Sequence, residues 1–453
     1  MKLIDIFKKN RLFFDFLLNS GGSIVAQVVA FLFIYWTTQL YTPKAFGNYA
    51  TLLSKILILT TLLTLRMELV LVTNKEEDYF KASLVAACTL IISVTLFFTL
   101  ILFLFFDGYK SIFFGSQWQS SDWIIYLSIL VLPFSAFRNI GNGILIRNGN
   151  FKRIAKLVII FPIVSGIAQV AFSFPFNGSA DGLLISYLTS MFIIDLFYLK
   201  TTSKNISFSD LSFDFSKIFG TIKKNSTVTL WRSLTTISEA IYSRGVYIVM
   251  VNFVPAAALG QFNLAQRFLK PPTTLFSTIS NVFFHHGTKR SLKEIESSIR
   301  NFLIIVVLLS GMLTGFFLTN GEAIFDLVFG SEWKNAGLYI GVLFIGQSMV
   351  FITSGMTRFP DIVGIQKNIF YLQFLFTIIM VGGLYWSGIS GWEMENIVGF
   401  YTGLMFVYNL VWVIYVFIMS DLNVKTVLFS LILFLGTLGL AALIDINFLL
   451  LNR

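Results

Sequence analysis

The chain has 453 residues, 56% hydrophobic and only 12% charged, with a formal net charge of +10 and a mean hydropathy of +0.79. Ordinary globular domains carry about 25% charged residues, so a water-soluble multidomain protein and a disordered chain are both excluded. A lone cysteine, Cys88, excludes an intramolecular disulfide and a cysteine metal cluster.

A helix needs about 20 apolar residues to cross a hydrocarbon core about 30 Å thick. In chain order, such runs lie near 15–40, 46–72, 82–106, 123–147, 154–176 and 181–200. Six more lie near 227–253, 257–284, 299–320, 337–358, 368–388 and 395–419. A thirteenth covers 426–446, its end diluted by Asp445 and Asn447. The runs are continuously apolar and do not alternate, which argues against a closed barrel. Residues 1–14 are basic with scattered apolar positions and lead straight into the first span. No A-x-A-like cleavage site follows, so they read as an amphipathic inner-surface lead-in to an uncleaved helix.

Lysine and arginine in the short loops set the orientation. With the N-terminus inside, the inner segments hold 22 of the 33 basic residues, among them Lys8, Lys9, Arg11, Arg147, Lys152, Arg153 and Lys156. The outer segments hold four: Lys44, Lys110, Lys334 and Arg453. The positive charge is therefore topology and headgroup attraction, not a nucleic-acid footprint. Trp36, Trp118, Trp123, Trp333, Trp386 and Trp392 fall near outer ends and Trp231 near an inner end, as in an interfacial belt.

The chain repeats itself. Phe114-Gly-Ser-Gln-Trp118 follows span three, and Phe329-Gly-Ser-Glu-Trp333 follows span nine, at an offset of 215. At that offset Gly149 and Lys152 meet Gly364 and Lys367. Gly47-Asn-Tyr49 before span two meets Gly260-Gln-Phe262 before span eight, at 213. The expected fold is all-α and polytopic. Two six-helix bundles, 1–200 and 227–420, are related by a pseudo-two-fold along the membrane normal. A thirteenth C-terminal helix occupies 421–453. Between the bundles, 201–226 places Phe208, Leu211, Phe215, Ile218, Phe219 and Ile222 at helical spacing, an amphipathic linker on the inner surface.

Seven basic residues remain within spans: Lys55, Arg66, Arg138, Arg232, Arg244, Arg267 and Lys270. Each costs about 2.5–3.5 kcal/mol at mid-span on insertion scales. The acidic residues well inside spans are Glu68 and Glu239, so pairing neutralises at most two of the seven. Lys55 and Arg66 share one face of span two, Arg232 and Glu239 one face of span seven, and Arg267 and Lys270 are near neighbours on span eight. A cationic cavity between the halves would suit an anionic group such as a diphosphate, gripped by charge-assisted hydrogen bonds. Arg66, Arg138 and Arg232 lie toward inner ends, where snorkelling to headgroups is the competing explanation. Glu239 serves either as partner of Arg232 or as a proton carrier. Glu68 is a headgroup-level residue or a coupling group.

Pro271-Pro272 interrupts span eight beside Lys270, a break suited to a bending helix. Pro133 and Pro162 interrupt spans four and five. His285 and His286 diverge by about 100° on a helix, a poor geometry for a shared metal. No H-E-x-x-H, G-x-S-x-G or Walker A motif occurs, and the longest outer loop, 107–122, is too short for a catalytic domain. The chain does not read as an enzyme, and no cofactor or metal is called for.

Tyr41-Thr-Pro-Lys-Ala-Phe-Gly-Asn-Tyr49, Leu65-Arg-Met-Glu-Leu69 and the acidic Glu76-Glu-Asp78 loop resemble bacterial O-antigen and polysaccharide flippases. Ile146-Arg-Asn-Gly-Asn-Phe-Lys-Arg153, Gly260-Gln-Phe-Asn-Leu-Ala-Gln-Arg267 and Asn281-Val-Phe-Phe284 are similar too. The resemblance covers about residues 15–420 and places the chain in the multidrug/oligosaccharidyl-lipid/polysaccharide exporter superfamily. Met67 departs from it, standing where an aromatic is expected, as do the Lys-Pro-Pro and His-His steps of span eight.

The resemblance implies a bacterial inner-membrane protein with a cytoplasmic N-terminus. It implies transfer of an undecaprenyl-diphosphate-linked oligosaccharide from inner to outer leaflet by alternating access, coupled to an ion gradient or membrane potential. A polysaccharide polymerase and a chain-length regulator are the partner proteins such a pathway suggests, alongside membrane lipids. In that reading the intramembrane cations hold the diphosphate, and Gln27, Asn263 and Gln266 touch sugar. A multidrug or organic-cation exporter of the same fold is the alternative, and would favour buried carboxylates over excess arginine. A membrane-embedded polymerase or acyl transferase is a third, and would want larger loops.

Overall fold

The computed structural model describes residues 11–64, 67–73, 76–108, 122–202, 215–287 and 292–443. Within them the chain is helical throughout, as the continuous apolar runs require: in hydrocarbon every backbone donor and acceptor must be satisfied within its own segment. The helices in order are α1 (Arg11–Leu40), α2 (Pro43–Thr64), α3 (Met67–Thr73), α4 (Glu77–Leu104), α5 (Asp122–Arg147), α6 (Phe151–Ser173) and α7 (Ala180–Thr202). There follow α8 (Phe215–Met250), α9 (Ala256–Gly287), α10 (Glu296–Phe329), α11 (Lys334–Gly355), α12 (Phe359–Val363), α13 (Gln366–Ile389), α14 (Met394–Met419) and α15 (Lys425–Ala442).

Ten of these segments are long and apolar enough to cross a membrane, and each falls on one of the expected spans. The helices at spans two, seven and eight are not among the ten. Span two is divided into α2 and α3, with residues 65–66 outside the described residues. Helix α8 begins at Phe215, earlier than the expected 227, and α9 carries Gln261, Asn263, Gln266, Arg267 and Lys270 along one stretch.

The described chain divides into two compact units. The first comprises 1–41 and 48–248, the second 42–47 and 249–453. In the first, α1 packs along α6, α7 on α5 and α6, and α3 and α4 on α5. Leu145, Ile154, Leu157, Ile194 and Tyr198 form a buried cluster there. In the second, α10 lies against α11 and α15, and α11 against α9 and α14. Aromatic contacts fill this core: Phe262 on Tyr401, Phe268 on Phe325, and Phe276 on Phe351. Large apolar side chains such as Leu96, Phe97, Leu100 and Phe103 on α4, and Tyr371, Phe374 and Ile378 on α13, are exposed. An exposed surface that apolar is expected where lipid takes the place of water.

The thirteenth helix is held by a small-residue seam. Gly311 and Gly315 on α10 let α15 approach so closely that a Cβ on Gly315 would lie 2.4 Å from the Leu438 carbonyl oxygen. Thr319 Oγ1 donates to the Ala442 carbonyl at 2.9 Å, closing the far end.

The repeat is visible in the backbone. Gly149 and Gly364, which the sequence aligns, both adopt positive φ, 65° and 82°, a conformation that glycine takes at little steric cost. Gly178 and Gly391, at the 213 offset, do the same with φ of 64° and 69°. The Phe114–Trp118 copy of the outer motif lies outside the described residues. In the other copy Trp333 is only 1% exposed and packs edge-on against Phe46, with ring centroids 5.1 Å apart. Its assignment to an interfacial belt is therefore corrected: it is a core residue. Trp36, Trp123 and Trp386 are exposed, as a belt requires.

Candidate functional site

In the first unit two of the expected cations, Arg138 and Arg244, gather around Tyr187 of α7. Tyr187 is buried and feels the charges of both Arg138 on α5 and Arg244 on α8. Arg244 Nη1 donates to Ser54 Oγ at 3.5 Å, on α2, and the next residue is Lys55, itself only 7% exposed. Tyr49, one turn and a half before Lys55, meets Tyr187 edge-on at 6.4 Å. Spans two, four, six and seven thus contribute to one neighbourhood.

Arg138 is held by soft partners. Its Nη1 donates to Met191 Sδ at 2.9 Å, and its guanidinium carbon sits 5.3 Å from the Phe161 ring centroid on α6. Both are weak interactions for a cation inside a bundle. The side chain is half-buried.

In the second unit Arg267 is half-buried on α9. Its Nε donates to Asn263 Oδ1 at 3.1 Å, one turn earlier, and its guanidinium carbon lies 4.8 Å from the Phe46 centroid. Phe46 in turn meets Trp333 edge-on. Asn263, expected as a sugar contact, is the acceptor of the Arg267 hydrogen bond. Gln266 is half-buried, and Lys270 is exposed. Pro271 and Pro272 lie inside α9, where each removes a backbone donor. The hydroxyls of Thr273 and Thr274 bond back to the carbonyls of Leu269 and Lys270, as commonly happens at such a break.

Gln27 is half-buried on α1. Glu68 is half-buried on α3, and its carbonyl oxygen would lie 3.1 Å from a Cβ on Gly143 of α5. Glu239 is exposed on α8. Arg66 lies outside the described residues, and so do the side chains of Arg232, His285 and His286. Met67 is 1% exposed, so the position where an aromatic was expected is a packing position. Among the described residues no group of three histidine, cysteine or carboxylate side chains is placed to hold a metal ion.

One residue was misjudged from the sequence. Asp195 stands near the inner end of span six and was not counted among the acidic residues well inside spans. It is 6% exposed, and neither of its carboxylate oxygens accepts a hydrogen bond. The signal was available: Asp195 follows Tyr187 by eight residues and Met191 by four, on the face that meets Arg138.

The arrangement is that of a multi-pass membrane protein. An inward-facing multidrug-resistance MATE transporter of the MOP superfamily superposes with a TM-score of 0.59, at 14% identity, over 90% of this chain and 94% of its own. The lipid II flippase MurJ, in an inward closed conformation, gives 0.59 at 13% identity, over 96% and 98%. The chain belongs to the polysaccharide biosynthesis protein family, whose model matches residues 38–337. A relative in sequence is the capsular polysaccharide biosynthesis protein CapF of Staphylococcus aureus, 24% identical over 374 residues, which span 79% of this chain and 88% of that protein.

Proposed function

We propose that this protein is a flippase for a lipid-linked oligosaccharide of surface polysaccharide assembly. It carries an undecaprenyl-diphosphate-linked repeat unit from the inner to the outer leaflet by alternating access, driven by an ion gradient or the membrane potential. The observation that carries this reading is the approach of Arg138 and Arg244 to Tyr187 inside the first unit, with Lys55 buried next to Ser54, the partner of Arg244. A cation within a span is retained against a cost of about 2.5–3.5 kcal/mol. Arginine matches phosphate oxygens in a planar, bidentate fork. Membership of a polysaccharide biosynthesis family supports the sugar, and the likeness to transporter folds supports movement across the membrane.

In this reading Arg138, Arg244 and Lys55 take the diphosphate, with Arg66, Arg232, Arg267 and Lys270 further along its path. Gln27 and Gln266 meet the sugar. Asn263 acts through Arg267. Pro271 and Pro272 let α9 bend, and Glu68 and Glu239 are coupling groups. The protein acts in a bacterial inner membrane with its N-terminus in the cytoplasm, alongside a polymerase and a chain-length regulator. Export of organic cations by the same fold is favoured by one observation, the buried Asp195 carboxylate. The excess of arginine and the family weigh against it.

The test uses a deletion strain. Undecaprenyl-diphosphate-linked intermediates should accumulate while surface polymer disappears, and the gene should restore both. Unchanged lipids and polymer, in a strain with no second flippase, would overturn the proposal and favour the cation exporter.

A further inference from the structure

Tyr187, Met191 and Asp195 follow one another at four-residue intervals and share one face of α7. All three are buried, as is Tyr198 one turn on. Arg138 enters this face from α5 and bonds Met191 Sδ, a thioether and a weak acceptor. One turn further along the same face, Asp195 holds two oxygens that accept no hydrogen bond, and Arg138 is the cation that acts on it electrostatically. A guanidinium and a carboxylate would ordinarily form a bidentate pair. Here the guanidinium is engaged by Met191 Sδ, the Phe161 ring and the Tyr187 hydroxyl, while the Asp195 oxygens accept no hydrogen bond.

The other charged groups nearby do not substitute for Arg138. Arg153 and Lys156 on α6 and Lys200 on α7 line an open groove at the inner ends of these helices and are exposed. Among the described residues, the phenol of Tyr198 on its own helix also interacts with Asp195. A buried carboxylate without a partner is strongly disfavoured, whereas a buried pair is held by mutual attraction.

We propose that Asp195 is an internal counter-anion that competes with the substrate's phosphates for Arg138 and so drives their release. This rests on the reading of Arg138 as a phosphate-binding residue. While phosphate occupies the guanidinium, Asp195 stands aside. When the side chain of Arg138 swings one helical turn along α7, the carboxylate replaces the phosphate as its partner. Asp195 is then a positioning residue: it touches no substrate and acts through Arg138. A site that binds a lipid diphosphate through several arginines and must also release it needs such an internal competitor.

The experiment uses the full chain, purified and reconstituted in vesicles, with undecaprenyl diphosphate as probe. Asp195→Asn keeps the shape and removes the charge. It should bind the probe about tenfold more tightly, within the range typical of linked sites, while surface-polymer export in cells falls. Arg138→Gln should bind weakly, and the double variant should bind as Arg138→Gln does. A residue needed only for packing would not tighten binding when replaced. Equal or weaker binding by Asp195→Asn overturns the proposal. A ligand-free double-mutant cycle on thermal unfolding of the same variants separates the two readings. Non-additive losses establish that Arg138 and Asp195 are partners even if the wild-type chain ignores undecaprenyl diphosphate, an outcome that would sink the flippase reading instead. Additive losses overturn the pairing itself.

Discussion

Gly47 and Gly260 face each other with no room for a side chain on either. A Cβ on Gly47 would lie 1.7 Å from the Ala256 carbonyl oxygen, and one on Gly260 would lie 1.8 Å from the Pro43 carbonyl oxygen. The contact is reciprocal. Residues 47 and 260 are separated by the repeat offset of 213, and so are residues 43 and 256. Both segments belong to the second unit, where residues at the repeat offset meet.

Alanine at either glycine should therefore be costly, and by similar amounts. Overpacking against backbone typically destabilises by about 1–3 kcal/mol. Thermal unfolding of the purified Gly47→Ala and Gly260→Ala proteins in detergent measures it. A loss confined to one of them would show that the reciprocity does not hold.

Replacement of Arg138 separates charge from shape. Arg138→Ala should abolish export and cause lipid-linked intermediates to accumulate. Arg138→Lys keeps the charge but not the bidentate fork, and should restore export only in part. Full activity of the lysine variant would mean that a point charge suffices.

Arg267→Ala and Lys270→Ala should each stop export while the protein still reaches the membrane in normal amount. Asn263→Ala should weaken export less, because it removes one hydrogen bond at 3.1 Å that orients Arg267 and leaves the charge in place. The quantity of lipid-linked intermediate in each strain ranks the three. An Asn263→Ala strain with a larger defect than Arg267→Ala would place Asn263 on the substrate directly.

The attachment of α15 can be tested by contrast. Gly315→Leu drives a side chain into Leu438 and Ala441 and should lower the unfolding temperature. Gly436→Ala and Gly439→Ala, where nothing lies within 4 Å of the new Cβ, should be neutral or slightly stabilising. Equal effects at Gly315 and Gly439 would mean that the seam contributes nothing.

Hydropathy made most of the architecture legible, because a bilayer imposes length and composition on each segment separately. The repeat was legible for a similar reason: Gly149 and Gly364 sit where the chain needs positive φ, and glycine is conspicuous in sequence. What escaped were pairings between side chains. Trp333 has the sequence surroundings of a belt residue, and only its edge contact with Phe46, far away in sequence, makes it core. Asn263 reads as a free polar group until Arg267 is seen one turn away, a neighbour that helical spacing alone already supplies. Asp195 was not singled out, and its burial comes with the face it shares with Tyr187 and Met191.

The polarity of α8 and α9 has a consequence for biogenesis. They are consecutive, each is long enough to cross, and neither is among the segments apolar enough to do so on composition alone. A translocon that partitions helices one at a time by hydropathy would release this pair poorly. Their entry into lipid depends on strongly apolar neighbours, α7 before them and α10 after, so the middle of the chain is the stage at which synthesis and membrane integration are most exposed to failure.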